Sequence, residues 1–468
     1  MRRTPPPPGP PLPPAPFPRE RGGEERRGGR LGVLLLLLWG CTGGGESGQP
    51  PEDAAPDRRP DILLISLDTL RADHLGSYGY PRDTSPFLDR LAADGIRYPA
   101  AFVNTHGTPP SHATLFTSLY QETHGVDQKN PIPADAPMLT EILAENGYRT
   151  VAVTGGGFMS GNFGFDRGFE VFRARGAAID ETARELVDLV EEHRGGGRPL
   201  FAFFHTYEVH SPYLPPPPYR TLFGEFESDV EPTNEALLPI KTRAAEHLDQ
   251  DDVDFLVAMY DGGIRFTDDV LGDMFRRLEE IGFFDHGVVF VTSDHGEEFA
   301  EHGGLLHGIS LYEELLHVPL IVAGHGIPEG VVDEALVSTV DVAPTILALA
   351  GIEPPAIMAG RDLLGPSPDE PADQVVFAQF RSLLYGVRTQ RWKLIWDTRA
   401  KRLSLFDLDR DPGELDDVAE AHPQLVRRLQ RRLRTWRKSL PDLEAADRQD
   451  VEIDAEQAER LKSLGYLD

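Results

Sequence analysis

Asp61-Ile-Leu-Leu-Ile-Ser-Leu67 is a nearly unbroken apolar, β-branched run of strand length, followed at once by Asp68. A strand with one wet face alternates polar and apolar residues, so a run without alternation is one buried on both faces, as in a parallel sheet covered by helices. Similar runs recur at Arg149 to Thr154, Leu200 to His205, Val288 to Ser293 and Val318 to Val322. Helical patterns lie between them, over Ser85 to Ala93, Met138 to Glu145, Asp180 to Glu192, Val253 to Ile281 and Val340 to Ala350. Strands alternating with helices predict an α/β fold built on a large, doubly wound sheet. Beyond about Pro371 the texture shortens to Gln374 to Ala378, Leu384 to Arg388, Trp392 to Asp397 and Arg402 to Asp407, then a basic amphipathic helix from His422 to about Lys438. These predict a small antiparallel sheet carrying one helix. The helix reads as a packed face with its arginines turned outward rather than as a membrane binder.

At 468 residues and 40% hydrophobic content the chain exceeds one small core, which fits a large domain with a smaller companion. The formal charge of −30 makes a surface that repels nucleic acid, and no nucleic-acid partner is expected. A Pro- and Arg-rich leader ending at Arg30 feeds the apolar run Leu31 to Trp39, too short to span a bilayer, and then Gly40-Cys41. Leu38-Trp39-Gly40-Cys41 resembles a bacterial lipobox, although Trp39 is bulky for its place. It implies export, lipidation of Cys41 and attachment to the periplasmic or outer face of a bacterial cell. Cys41 is the single cysteine, so no internal disulfide is available. The Gly/Ser/Pro/Asp/Glu-rich stretch to about Arg59 reads as a flexible tether.

In open α/β sheets the chemistry gathers beyond the carboxyl ends of the strands. Asp68 follows the first run, His210 comes shortly after the run ending at His205, and Asp294-His295-Gly296 follows the run ending at Ser293. A lone Asp after a strand is most often a helix cap. Three strands ending in carboxylate or imidazole instead suggest ligands for a divalent cation, beside which a hydroxyl can be activated. Thr108, in Thr108-Pro-Pro-Ser-His112, is placed for that part, just before a helical run from Ser111 to Leu119 whose amides would favour an anion. The plainer alternative is that Thr108 and Ser111 only cap that helix.

Five motifs, in order, resemble the sulfatase family of the alkaline phosphatase superfamily: Pro60 to Arg71, Thr108 to Thr117, Gly147-Tyr-Arg-Thr150, Tyr260 to Asp269, and Thr292-Ser-Asp-His-Gly-Glu-Glu298 through His307-Gly308. Tyr385 to Arg388, Arg391-Trp-Lys393 and Leu405 to Leu415 resemble that family's small C-terminal domain. The resemblance implies an alkaline phosphatase-like mixed sheet flanked by helices. It divides the chain into a signal peptide with lipobox (1–41), a tether (42–59), a catalytic domain (60–371) and a small C-terminal subdomain with tail (372–468). Carried over by position, it implies Asp68, Asp294 and His295 as metal ligands, with Thr108 as nucleophile and fourth ligand. His210 and His307 are implied to face the leaving group or anion, and His112, standing where the family has a signature arginine, is counted with them and Thr108 as catalytic. Thr69 stands in place of a second carboxylate, and Thr154-Gly-Gly-Gly-Phe158 in place of a lysine and histidine. His124 and His302 are further candidates for the pocket.

The family's formylglycine is made from Cys or Ser, and Thr108 cannot be converted that way. A threonine ester intermediate needs a second displacement at sulfur or phosphorus, which draws the chemistry towards phosphoryl transfer. The expectation is a metal-dependent hydrolase of sulfate or phosphate esters of a small molecule or a glycan. The cofactor is one divalent metal (manganese, zinc or calcium), with room for a second held by His302 and His307. Alternatives are a phosphodiesterase or phosphonate monoesterase, a phosphoethanolamine-type transferase, or a catalytically silent, lipid-anchored anion- or glycan-binding protein.

Overall fold

The computed structural model describes residues 59–366, 374–443 and 451–466. The signal peptide, the lipobox at Cys41 and nearly all of the tether lie outside the described residues. Among those described, no helix is long and apolar enough to cross a membrane.

The large sheet is built from β1 (Asp61–Leu67), β2 (Gly95–Arg97), β3 (Arg149–Thr154), β4 (Val171–Ala174), β5 (Leu200–Thr206), β6 (Gly287–Thr292), β7 (Leu320–Gly324) and β8 (Val331–Val332). Their order is β8-β2-β7-β6-β1-β5-β3-β4. β4, β3, β5, β1 and β6 run parallel, while β7 pairs antiparallel with both β6 and β2. The sheet is therefore mixed, and the run from Val318 to Val322 reverses direction, which an apolar run does not disclose. β2, β4 and β8 are too short or too exposed to read as buried strands.

β1 sits in the middle, bonded to β5 and β6, and every residue of it is buried. Alternate side chains leave opposite faces of a strand. Ile62 and Leu64 join a cluster with Ala113 and Phe116 of α1 (Thr108–Thr117), with Phe201 and Phe203, and with Val342 and Ile346. Leu63 and Ile65, on the other face, are wholly buried as well. Each such side chain contributes about 1.5–3 kcal/mol by leaving water. α2 (Ile179–His193) packs over β3 and β5 and against the long α3 (Gln250–Glu280). α3 starts at a capping box in which Asp249 and Asp252 exchange side-chain to backbone bonds.

The small sheet is an antiparallel meander of β9 (Val376–Phe380), β10 (Leu384–Arg388), β11 (Trp392–Asp397) and β12 (Arg402–Asp407). α4 (Pro423–Ser439) buries Leu429, Leu433 and Trp436 on it, with Phe377 stacked on Trp436 at 4.7 Å. The fold is thus an alkaline phosphatase-like mixed sheet flanked by helices, with a small C-terminal antiparallel sheet and helix. One further element, α5 (Ala455–Ser463), was not foreseen: with apolar anchors only at scattered positions its sequence looks like a solvated tail.

Candidate active site

Three chain turns converge beyond the carboxyl ends of β1 and β6. Asp68 leaves β1 with its amide bonded to Thr206 O at 3.1 Å. Thr69 then takes a left-handed backbone (φ 60°), an unfavourable conformation for a β-branched residue, which requires support from its surroundings. The support comes from α3 and from the β6 turn. Tyr260 on α3 donates to Thr69 O at 2.7 Å and accepts from Arg71 N at 2.9 Å. Thr69 N donates to Asp294 Oδ1 at 3.2 Å, and Leu70 N to Ser293 Oγ at 2.9 Å. Arg71 reaches over to donate to Glu297 O at 2.9 Å and to pair with Asp73 and Glu301.

Thr108 enters from α1, and it is the first residue of that helix rather than lying before it. Gly107, the N-cap, has φ +99°, and Pro109 and Pro110 fill the next positions, where fixed φ suits helix entry. The prolines carry no N–H, and Ser111 N is bonded to Gly107 O, so the helix end offers an anion fewer amides than the sequence suggested. Ser111 Oγ donates to Asp294 O at 2.5 Å, tying α1 to the β6 turn. The Thr108 hydroxyl donates to Asp68 Oδ2 at 3.1 Å.

Asp68, Asp294 and His295 are wholly or almost wholly buried and each offers a ligand atom, all within 4.8 Å of one another. Each also leaves one buried atom without a hydrogen-bond partner: Asp68 Oδ1, Asp294 Oδ2 and His295 Nε2. Buried polar atoms are rarely left unpaired, because each costs about 1–3 kcal/mol. Three orphans converging on one point, two of them carboxylate oxygens and one imidazole nitrogen, fit a divalent cation. Burial pushes Asp68 up to about 6, against the pull of His295, and raises Asp294 with Asp68 beside it. His295 Nδ1 donates to Gly296 O at 2.9 Å, which turns Nε2 to the cluster; burial would lower His295, but Asp294 and Asp68 beside it raise it.

The remaining histidines separate. His210 and His307 stand together, with ring centres 5.1 Å apart, and His307 lies 4.4 Å from His295. His210 Nδ1 faces Ser211 O at 2.5 Å and burial lowers it to about 3. His307 Nδ1 faces Glu297 Oε1 at 2.8 Å; burial and then His295 lower His307, while burial raises Glu297. His112 lies behind the nucleophile turn, its ring nitrogens engaged by Ser66 Oγ and Thr108 O, both at 2.9 Å, so it braces α1 instead of facing the pocket. His124 is bonded to Thr114 Oγ1 and Val126 N within the α1 packing. His302 sits with Glu314 at 2.7 Å, in a different cluster from His307, so the two do not share a metal.

A cavity of about 260 Å³ opens onto the two histidines and is lined also by His106, Lys241, Arg381 and Tyr466. Tyr466 hangs from α5. Its hydroxyl is 3.3 Å from Thr108 Oγ1, 2.9 Å from His210 Nε2 and 3.2 Å from His307 Nε2.

The sulfatase family model matches residues 60–352, well over half of the chain. The chain belongs to the sulfatase family. The model for the N-sulphoglucosamine sulphohydrolase C-terminal region matches residues 301–439. The multifunctional alkaline phosphatase superfamily protein PehA of Trinickia caryophylli is 26% identical over 82% of this chain and 96% of its own. Arylsulfatase K of Bos taurus is 24% identical over 82% of both. Two solved structures share the fold, each with a TM-score of 0.68. BT4656 in complex with D-glucosamine-2-N,6-O-disulfate is 20% identical, covering 81% of this chain and 98% of that one. The phosphonate monoester hydrolase of Agrobacterium radiobacter is 22% identical, covering 82% and 96%.

This sulfatase-family protein is an ester hydrolase, and sulfatases bind a divalent metal. Sequence reading quoted Glu297 within its motif without giving it a part; a carboxylate three residues past Asp294 was the signal. Lys241 and Arg381 carried none, because they reach the cavity from segments distant in sequence. Tyr466 was missed for the same reason.

Proposed function

We propose that this sulfatase-family hydrolase cleaves a sulfate or phosphate ester by attack of Thr108 Oγ1 at sulfur or phosphorus. The observation that carries it is the buried Thr108 hydroxyl, 3.1 Å from Asp68 Oδ2, beside three converging orphan ligand atoms. A divalent cation held by Asp68, Asp294 and His295 supplies positive charge that makes a neighbouring hydroxyl acidic and offsets charge on the ester oxygens. Carboxylates with one imidazole suit manganese or zinc better than calcium.

Asp68 takes the hydroxyl proton as Oγ1 bonds to sulfur or phosphorus and the bond to the leaving oxygen breaks in line. The leaving oxygen takes a proton from His307 Nε2. Burial raises Glu297 and lowers His307, so their shared proton rests on the carboxyl and passes to Nδ1 as Nε2 gives up its own. His210, with Nδ1 donating to Ser211 O, keeps a lone pair on Nε2. In the second step it accepts a proton from the water that attacks the threonine ester, and Asp68 returns its proton to Thr108 Oγ1 as that bond breaks. Lys241 and Arg381 supply cavity charge that draws in an anionic ester. Export and a lipid on Cys41 belong to the same proposal and rest on the leader sequence alone.

The test is turnover of the metal-loaded protein on 4-nitrophenyl sulfate, 4-nitrophenyl phosphate, bis(4-nitrophenyl) phosphate and 4-nitrophenyl phenylphosphonate, with acid-quenched mass analysis of Thr108. The expected result is a sulfuryl or phosphoryl adduct on Thr108, with activity reduced on the order of 10³-fold or more in Thr108→Ala. Full activity in that variant would sink the proposal. Diester or phosphonate cleavage would select a phosphohydrolase. Products that require an added alcohol would select a transferase, and anion binding without turnover would select the silent binding protein.

A further inference from the structure

The last described residues of the chain lie in the site. α5 is fixed over the glycine bend that follows β3. Gln457 Nε2 donates to Gly157 O at 3.1 Å and to Ser160 Oγ at 2.7 Å, and its Oε1 accepts from Asn162. Arg460 Nε donates to Gly155 O at 3.1 Å, with its guanidinium over the Tyr207 ring. Gly157 has φ +60°, and a Cβ on it would stand 3.2 Å from Leu464, so the bare backbone there is what lets the tail approach. Leu461 is wholly buried in the main core cluster, and Asn234 Nδ2 bonds Ser463 O at 3.2 Å. Gly465, also left-handed at φ +79°, then turns Tyr466 inward, edge-on to Phe158 at 4.6 Å between ring centres.

The Tyr466 oxygen stands within hydrogen-bond reach of Thr108 Oγ1, His210 Nε2 and His307 Nε2 at once. A reacting ester must occupy that same point, about 3–3.5 Å from the nucleophile and beside the acid. The open cavity reaches His210, His307 and Tyr466, while Thr108 behind them is wholly buried. A substrate therefore meets the phenol before it meets the nucleophile.

We propose that residues 451–466 form a displaceable plug in which Tyr466 is an internal ligand, holding the place of the ester group and ring alcohol of an aryl-type substrate. The inference rests on the reading of Thr108 as the nucleophile. The phenol shows what its subsite accepts: a hydroxyl-bearing aromatic ring, its oxygen at the two imidazoles and its edge on Phe158. Turnover then requires the tail to release Tyr466, and the bonds of Gln457 and Arg460 set how readily it does so.

The test compares full-length metal-loaded wild type with Tyr466→Ala and Gln457→Ala, the second of which loosens the tail without touching the site. Calorimetry with phenylphosphonate is expected to show three- to tenfold tighter binding in both variants. Trypsin cleavage at Lys462 in the wild type is expected to speed up as phenylphosphonate saturates the protein. With 4-nitrophenyl esters, kcat/KM is expected to rise in both variants. Equal or weaker binding in both, or cleavage that slows, overturns the plug. So does a kcat/KM that falls in both, which would make Tyr466 a group that holds substrate. Tighter binding and faster cleavage, with no turnover of any ester by any of the three proteins, would retire the Thr108 mechanism and leave the plug standing.

Discussion

Two buried clusters of histidine and carboxylate lie a few residues apart in sequence and solve the same electrostatic problem in opposite ways. The first holds Asp68, Asp294 and His295; the second holds Glu298, His302 and Glu314, with Glu313, Glu414 and Lys393 beside it. In the second, the chain brings its own cations. Lys393, 1% exposed, lies 2.9 Å from both Glu313 and Glu414, and His302 lies 2.7 Å from Glu314. Burial works against Glu313, yet Lys393 and Arg388 hold it down at about 2. In the first, no lysine or arginine among the described residues pairs with the carboxylates, and burial drives Asp68 up to about 6. Every residue there keeps an orphan atom, whereas in the second His302 has both ring nitrogens engaged and Glu298 alone of the trio keeps an oxygen without a partner. Acidic density is similar; the convergence of unpaired atoms without a lysine or arginine among the described residues to pair with them distinguishes a place for a metal from a structural network.

The sharpest way to break this comparison is to count metals. Elemental analysis of the reconstituted protein is expected to give one tightly held divalent ion per chain. Asp294→Asn is expected to lose it, with activity lowered on the order of 10³-fold or more, since such a cation is worth several kcal/mol at the transition state. Two ions in the wild type, or an ion retained by the variant, would erase the distinction between the clusters.

The next effect belongs to the second cluster. Lys393→Met leaves Glu313 with Arg388 and takes from Glu414 the ammonium that pairs with its carboxylate. Removing one partner of a buried pair costs about 3–5 kcal/mol, so the urea midpoint is expected to fall steeply while the metal stays bound. A variant as stable as wild type, or one that sheds its metal, would mean that the two networks are a single unit.

How much of this was legible beforehand follows from the range of each interaction. β1 and β6 announced themselves because burial on both faces is written into consecutive residues, and Asp68, Asp294 and His295 followed because they sit at the ends of those strands. The direction of β7 and the short edge strands β2 and β8 depend on partners, and no local pattern encodes them. The histidines show the same limit. His112, His124, His210, His302 and His307 looked alike as candidates, and only packing sends His112 behind α1, His124 into the α1 core and His302 to Glu314. Tyr466 was the least legible, because a tail that docks on Gly157 and Thr108, 300 and 358 residues away in sequence, carries no periodic signal of its own.

The smallest effect probes whether the second cluster's histidine is a cation at all. Burial would lower His302, but the bond to Glu314 and the charge behind it raise it above its ordinary value of about 6.5. A histidine whose pKa is higher in the folded state binds its proton more tightly there. Its contribution is fully present below the unfolded pKa and is lost as pH rises through the folded one. His302→Gln is therefore expected to cost about 1 kcal/mol near pH 6, a modest value because the ring is partly exposed, and progressively less towards pH 9. Urea titrations of both proteins across that range read the difference. If the cost does not shrink with rising pH, His302 acts as a neutral hydrogen-bonding ring, and the second cluster holds its carboxylates with Lys393 and Arg388 alone.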